Sequence, residues 1–125
     1  MAGNEGSSSH LSAGRRAEDQ ALAHLKERGL RLIERNFRCR LGEIDLIMED
    51  DFGLIFVEVR YRASDRYGGA LESIDGRKRA RIMAAASQYL ASRRIDRRVR
   101  FDVVALSPSG DRLALQWIKD AFQVS

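Results

Sequence analysis

One cysteine, Cys39, is all that the 125 residues contain, so neither an intrachain disulfide framework nor a cysteine-based zinc site can be built. A reducing cytoplasm suits such a chain. No stretch reaches the ~18 consecutive apolar residues that a membrane helix needs. The amino terminus also lacks the basic-then-apolar order of a secretory signal. The expectation is a cytoplasmic protein with no membrane partner. There is no internal repeat, no P-loop and no dinucleotide-binding fingerprint, and Gly68-Gly69 reads as a loop. The two histidines, His10 and His24, have no Cys, Ser or acidic companion at a nucleophile or ligand spacing, which favours packing over catalysis.

What remains is apolar enough to fold and unusually charged: 44% hydrophobic and 32% Asp, Glu, Lys or Arg. A chain of this length is the usual size of one domain. The 22 basic residues against 18 acidic ones give a net charge of +4 and a pI near 9.7, which suits a polyanionic partner without requiring one. Their distribution says more. Arg77, Lys78, Arg79 and Arg81 form one cluster, and Arg93, Arg94, Arg97, Arg98 and Arg100 another. Solvated helix surface is the plain reading of such runs. Arginine dominates both, and its planar fork matches phosphate oxygens, which tilts the reading toward nucleic acid.

Met1 to Ser12, rich in Gly, Ser and Asn, has too little to bury to offset its ordering entropy and is expected as a flexible tail before one domain, 13–125. Ala17, Ala21, Leu22 and Leu25 recur at helical spacing, predicting helix one over Ala13 to Arg28 with Gly29 as its stop. Strands are predicted over Leu30 to Phe37, Glu43 to Met48 and Leu54 to Tyr61, the last two joined as an antiparallel hairpin. Leu54-Ile55-Phe56-Val57 has the continuous apolar character of a central strand. Ile82, Ala85, Ala86, Tyr89 and Leu90 make one stripe of helix two, from about Ile74 to Arg93. Val99 to Leu106 and Leu113 to Ile118 form a final strand pair around a turn at Ser107 to Gly110. The order αβββαββ indicates an α/β domain, a mixed sheet flanked by helices.

Two acids interrupt the apolar strands: Asp45 in Gly42-Glu43-Ile44-Asp45-Leu46-Ile47, and Glu58 in Phe56-Val57-Glu58-Val59-Arg60. Carboxylates form strands poorly and are costly to bury unpaired. Residues two apart on a strand share a face, so Glu58, Arg60 and Arg62 project together, as do Glu43 and Asp45. A hairpin register that sets Asp45 against the Glu58 face would gather two carboxylates and a guanidinium at one point, a site for a small hard ion such as Mg2+ or Mn2+. Spacing alone does not choose between that and an ordinary ion pair of Glu58 with arginine. Asp102, beside Arg100, reads as a structural ion pair. Tyr89 and Trp117 read as packing, and Gln88 reaches the acids only if helix two packs over the active end of the hairpin.

Those two strand motifs, with Gly14-Arg15-Arg16-Ala17-Glu18, Arg35-Asn36, Tyr67-Gly68, Arg100-Phe101-Asp102-Val103-Val104 and Ile118-Lys119-Asp120-Ala121-Phe122, resemble the YraN-like family of uncharacterised bacterial proteins from residue 13 to the end. That family looks like a branch of the restriction-endonuclease-like superfamily, which implies a three-layer core and metal-dependent cleavage of nucleic acid. The superfamily pattern is an Asp, then a Glu or Asp, one residue, and Lys. Asp45 matches the first acid and Glu58 the second. Glu18 matches a helix-one acid that some members add to the metal site. Arg60 stands where the pattern has lysine. Arginine stays protonated and cannot serve as a general base, although it can stabilise a pentavalent phosphate.

Three readings follow. In the first, Asp45 and Glu58 hold Mg2+ or Mn2+ with Glu18 as an outer ligand, Arg60 stabilises phosphate, and Arg62, Arg77, Lys78, Arg79 and Arg81 bind nucleic acid, with DNA as the expected substrate. In the second, motivated by Arg60, the same fold binds nucleic acid and cleaves it weakly or not at all. In the third, the basic surface docks a protein partner. A branched substrate would favour a symmetric homodimer.

Overall fold

Leu46-Ile47-Met48 on one strand and Leu54-Ile55-Phe56-Val57 on the next cannot face water on either side, so a helix must cover each face of the sheet they share. The structure, a computed structural model that describes residues 9–63 and 74–123, buries all seven side chains. Its elements are α1 (Ser9–Glu27), β1 (Arg31–Cys39), β2 (Gly42–Asp50), β3 (Gly53–Tyr61), α2 (Gly76–Ser92), β4 (Val99–Ser109) and β5 (Arg112–Phe122). The strands form one sheet in the order β1-β2-β3-β4-β5. Neighbours are antiparallel except β3 and β4, which run parallel and are separated in sequence by α2.

The expected α/β order and the antiparallel β2–β3 hairpin are present. α1 begins at Ser9, four residues before the expected start, and gives way to Gly29 in a left-handed conformation with φ 97°. Residues 1–8 of the expected tail, and the Gly68-Gly69 loop, lie outside the described residues. The last hairpin turns later than its Ser-Pro-Ser-Gly run suggests. β4 continues through Pro108, which pairs with Leu113, and the chain reverses at Gly110, φ 63°. The β3–β4 ladder has ended by then, at Tyr61 opposite Leu106, so the N–H that proline lacks is not needed on that side.

α1 lays Ala17, Ala21 and Leu25 on one face of the sheet against Leu46, Ile55, Val57 and Val104. α2 lays Ile82, Ala85, Ala86 and Tyr89 on the other, against Ile44, Phe56, Phe101 and Phe122. Phe101 stacks between Phe56 and Phe122, with ring centroids 5.5 and 5.2 Å apart. Tyr89 is core, as expected, edge-on to Phe37 at 5.1 Å.

One irregularity matters for function. Ile44 and Leu46 are two apart on β2 and should share a face, yet Ile44 packs on the α2 side and Leu46 on the α1 side. Their β1 partners, Phe37 and Arg35, divide in the same way: Phe37 meets Tyr89 of α2, and Arg35 meets Glu18 of α1. Between them stand Asp45 on β2 and, on β1, Asn36 in a left-handed conformation with φ 54°. Both strands therefore turn over at this level. The β2–β3 ladder also stops at Leu46 opposite Val57.

Candidate metal and phosphate site

Beyond Leu46–Val57 the next facing positions are Asp45 and Glu58. The Val59 N–H is bound by the Asp45 carboxylate, Oδ2 at 2.8 Å, in place of a main-chain partner on β2. The acid thus occupies the fork where two strands part, within hydrogen-bonding reach of Glu58. Glu58 is buried, its side chain 6% exposed. Burial first, and the adjacent Glu58 charge second, push the Asp45 carboxyl up to about 8. The Val59 N–H acts against this, and Glu18 adds a smaller push in the same direction as Glu58.

Among the described residues, cations reach Glu58 but not Asp45. Lys78 Nζ, from the first turn of α2, lies 3.1 Å from Glu58 Oε2, and Arg60 lies 3.8 Å from the same oxygen. Among the described residues Asp45 has no ion-pair partner. An ordinary ion pair therefore accounts for Glu58 and leaves Asp45 unexplained. No three Asp, Glu, His or Cys side chains among the described residues form a metal cluster. The acidic centre is the pair. Two carboxylates with room for water are the donor set that Mg2+ or Mn2+ takes, because those ions keep several waters and add substrate phosphate. A dication between them would also offset the Glu58 repulsion that adds to burial in raising the Asp45 carboxyl.

The structure places the other expected residues unevenly. Glu18 faces the site from α1, but its Oε1 is engaged by Arg35 Nη2 at 2.8 Å and by Asn36 Nδ2 at 3.1 Å. It positions the Asn36 turn, and its charge is felt at Asp45. Glu43, expected beside Asp45, is exposed and pairs with Arg38 at 3.3 Å. Arg62 is half-buried, and its N–H donates to the Leu106 carbonyl at 2.9 Å. Arg77 and Arg81 are exposed. Arg79 is turned away, donating through Nε to the Ile74 carbonyl at 3.0 Å with its guanidinium over the Phe122 ring. The sequence groups Lys78 with the surface cations, whereas the structure sets it against Glu58. Reaching it from sequence needed the packing of α2 over the hairpin, for which the Ile82-Ala85-Tyr89 stripe was the available signal.

Two grooves flank the pair and share Arg38 and Glu43. One, ≈ 750 Å³, lies toward α1 and is lined by Arg15, Glu18, Arg35 and Asp45. The other, ≈ 530 Å³, lies toward α2 and is lined by Arg77, Lys78 and Arg81. The second arginine cluster belongs to neither and is largely spent on structure. Arg93 pairs with Glu34 and covers Tyr89, Arg97 pairs with Glu49 at 2.7 Å, and Arg100 pairs with Asp102. Asp102 is the structural acid it was expected to be. It is fully buried and also accepts from Trp117 Nε1 at 2.9 Å and the Asp120 N–H at 2.8 Å. Trp117 packs edge-on against His24, and Gln88 is exposed. The His10 side chain lies outside the described residues.

A family model for the uncharacterised protein family UPF0102 matches residues 17–106, which include Glu18, Asp45, Glu58, Arg60 and Lys78. The chain belongs to UPF0102, the YraN-like family. UPF0102 proteins resemble it along nearly their whole length. One from Methylococcus capsulatus is 51% identical over 110 residues, covering 88% of this chain and 89% of the relative. One from Pseudomonas entomophila is 54% identical over 114 residues, covering 89% and 93%. One from Nitrosococcus oceani is 47% identical over 117 residues, covering 92% and 94%. The mixed sheet between two helices is consistent with the restriction-endonuclease-like superfamily. Among the described residues no helix is long and apolar enough to cross a membrane.

Proposed function

We propose that this UPF0102 protein is a metal-dependent phosphodiesterase of the cytoplasm, acting on DNA or structured nucleic acid. One observation carries the reading: Asp45 and Glu58 are held against each other at the fork of β2 and β3, and no cation among the described residues balances Asp45. A fold that needed only an ion pair has no use for the second acid. Asp45 and Glu58 would hold Mg2+ or Mn2+, which supplies Lewis-acid charge and a water acidic enough to attack phosphorus at neutral pH. Glu18 fixes Arg35 and Asn36 and with them the turn that presents Asp45. Arg60 stays protonated, so it serves by binding the phosphate as negative charge builds on its oxygens. Arg15 and Arg38 on one side of the pair, and Arg77 and Arg81 on the other, offer cations for a strand crossing both grooves.

The test is cleavage of labelled linear, single-stranded, flap and four-way DNA with Mg2+ or Mn2+, with Asp45→Ala in parallel. Divalent-dependent cutting in the parent and a loss of at least ~100-fold in the variant, which still melts as a cooperatively folded protein, are expected. Cutting that survives Asp45→Ala removes the assignment. A second reading is favoured by one observation, that Lys78 and Arg60 already neutralise Glu58. In it the protein binds nucleic acid without cutting, and salt-sensitive binding persists in chelator.

A further inference from the structure

Lys78 is held in place more firmly than a surface lysine needs to be. Asp75 caps α2, its Oδ1 accepting the Lys78 N–H at 2.9 Å, so the lysine backbone is pinned at the helix start. Residue Ile74, fully buried, anchors the approach to that cap and accepts from Arg79 Nε. The helix is also seated close to β2: a Cβ on Gly42 would lie 2.7 Å from the Arg81 carbonyl oxygen, so any larger residue there would push the second turn of α2, one turn beyond Lys78, away from the strand. The Lys78 ammonium consequently meets a carboxylate whose side chain is only 6% exposed, while its own side chain remains 39% exposed toward the α2-side groove.

Charge decides what such a lysine does. Without a metal, Glu58 is balanced by Lys78 at 3.1 Å and Arg60 at 3.8 Å from one of its oxygens. With a dication held by the pair, the acids would already be neutralised, and the Lys78 ammonium would become surplus positive charge at the mouth of the site. Surplus cations beside a hard ion are where a phosphodiester would seat its oxygens. The position that Arg60 cannot fill as an amine is thus supplied from a different element.

We propose that Lys78 is the counter-ion of Glu58 in the metal-free protein and becomes a phosphate-binding cation when Glu58 turns to a divalent ion, so that lysine and ion compete for one carboxylate. This deepens the phosphodiesterase reading and rests on it. It makes Lys78 a residue that lowers metal affinity and raises activity, a combination that neither a surface lysine nor a purely structural ion pair produces.

The experiment uses the full chain, as the parent and as Lys78→Met and Lys78→Arg. Mn2+ affinity is measured by calorimetry in the absence of nucleic acid, beside cleavage of the preferred DNA substrate and a thermal melt of each variant. Lys78→Met should bind Mn2+ about 10-fold more tightly, because a like charge beside the ion is gone. It should cut about 100-fold more slowly, because a cation facing the transition state is gone. Lys78→Arg, which keeps the charge, should stay near the parent in Mn2+ affinity and recover part of the cleavage. Parent-like Mn2+ affinity and cleavage in Lys78→Met would overturn the proposal while leaving the phosphodiesterase reading intact. Weaker Mn2+ binding in a folded Lys78→Met would overturn it too, since the lysine would then support the ion. A parent that neither binds Mn2+ nor cuts removes the phosphodiesterase reading itself, and the role of Lys78 with it.

Discussion

Replacing Asp45 by asparagine should make the metal-free protein more stable at alkaline pH, the opposite of what removing a buried charged partner usually does. The asparagine keeps an oxygen for the Val59 N–H and cannot repel Glu58. Asp45 is pushed from 3.8 to about 8 by burial and by Glu58, so between those values the folded protein holds a proton that the unfolded chain has released. Stability therefore falls as pH rises through that window, and the whole penalty is present only above the folded value. A displacement of that size corresponds to ~6 kcal/mol at ~1.4 kcal/mol per tenfold change in proton affinity. The carboxylate is partly open to solvent and two cations stand beside Glu58, so about a third of this, ~2 kcal/mol, is the working figure. With an unfolding entropy of ~2.1 cal/mol/K per residue over 125 residues, that is ~8 °C in Tm. Thermal melts of parent and Asp45→Asn in EDTA, from pH 5 to pH 9, should show a gap that widens with pH in favour of the variant. Saturating Mn2+ should reverse it, because only the parent offers both carboxylates. A gap that is constant across pH, or a parent that is the more stable form at pH 8.5 in EDTA, would refute the claim that Asp45 is held against its charge.

Two further outcomes concern the frame around the site. Asp102→Ala strips a fully buried acceptor from Arg100, Trp117 and the Asp120 N–H, and should cost ~3–5 kcal/mol, read as a lower urea midpoint at neutral pH. Asp75→Ala removes the cap of α2 and should cost ~1 kcal/mol in the same assay, with faster amide exchange confined to the first turn that carries Lys78.

Much of this frame was legible in the sequence because burial leaves a periodic trace. The Ile82-Ala85-Ala86-Tyr89 stripe marked the covered face of α2, and Leu54-Ile55-Phe56-Val57 marked a strand buried on both sides. Asp45 and Glu58 were visible as acids interrupting apolar strands, and their mutual placement followed once the hairpin register was known. What the period could not show was where it breaks. A simple two-residue alternation puts Ile44 with Leu46 and Glu43 with Asp45. The left-handed Asn36 turns the neighbouring strand over, and it is held there by Glu18, which arrives from α1 and accepts from both Arg35 and Asn36. Lys78 was hidden for a related reason. A lysine in a run of arginines is indistinguishable from solvated surface until tertiary packing brings its helix to Glu58. The Arg93-to-Arg100 cluster misled in the other direction, since its charges are largely answered by Glu34, Glu49 and Asp102.

Asp45 and Asp102 make an internal comparison that sharpens the functional reading. Both sit in apolar strands, and both sit where a ladder is interrupted, Asp45 beyond Leu46–Val57 and Asp102 at the irregularity between Phe101 and Val103. An acid at such a defect can cap main-chain N–H groups that the missing partner leaves open, and each does so, for Val59 and for Asp120 respectively. There the likeness ends. Asp102 receives a guanidinium and an indole N–H as well, so its charge is paired and its lone pairs are used. Among the described residues, Asp45 receives one N–H and a second carboxylate. Structural need explains the first arrangement completely. The second weakens the fold as pH rises toward the raised value of the Asp45 carboxyl, and an arrangement of that kind is expected where a ligand supplies the missing charge.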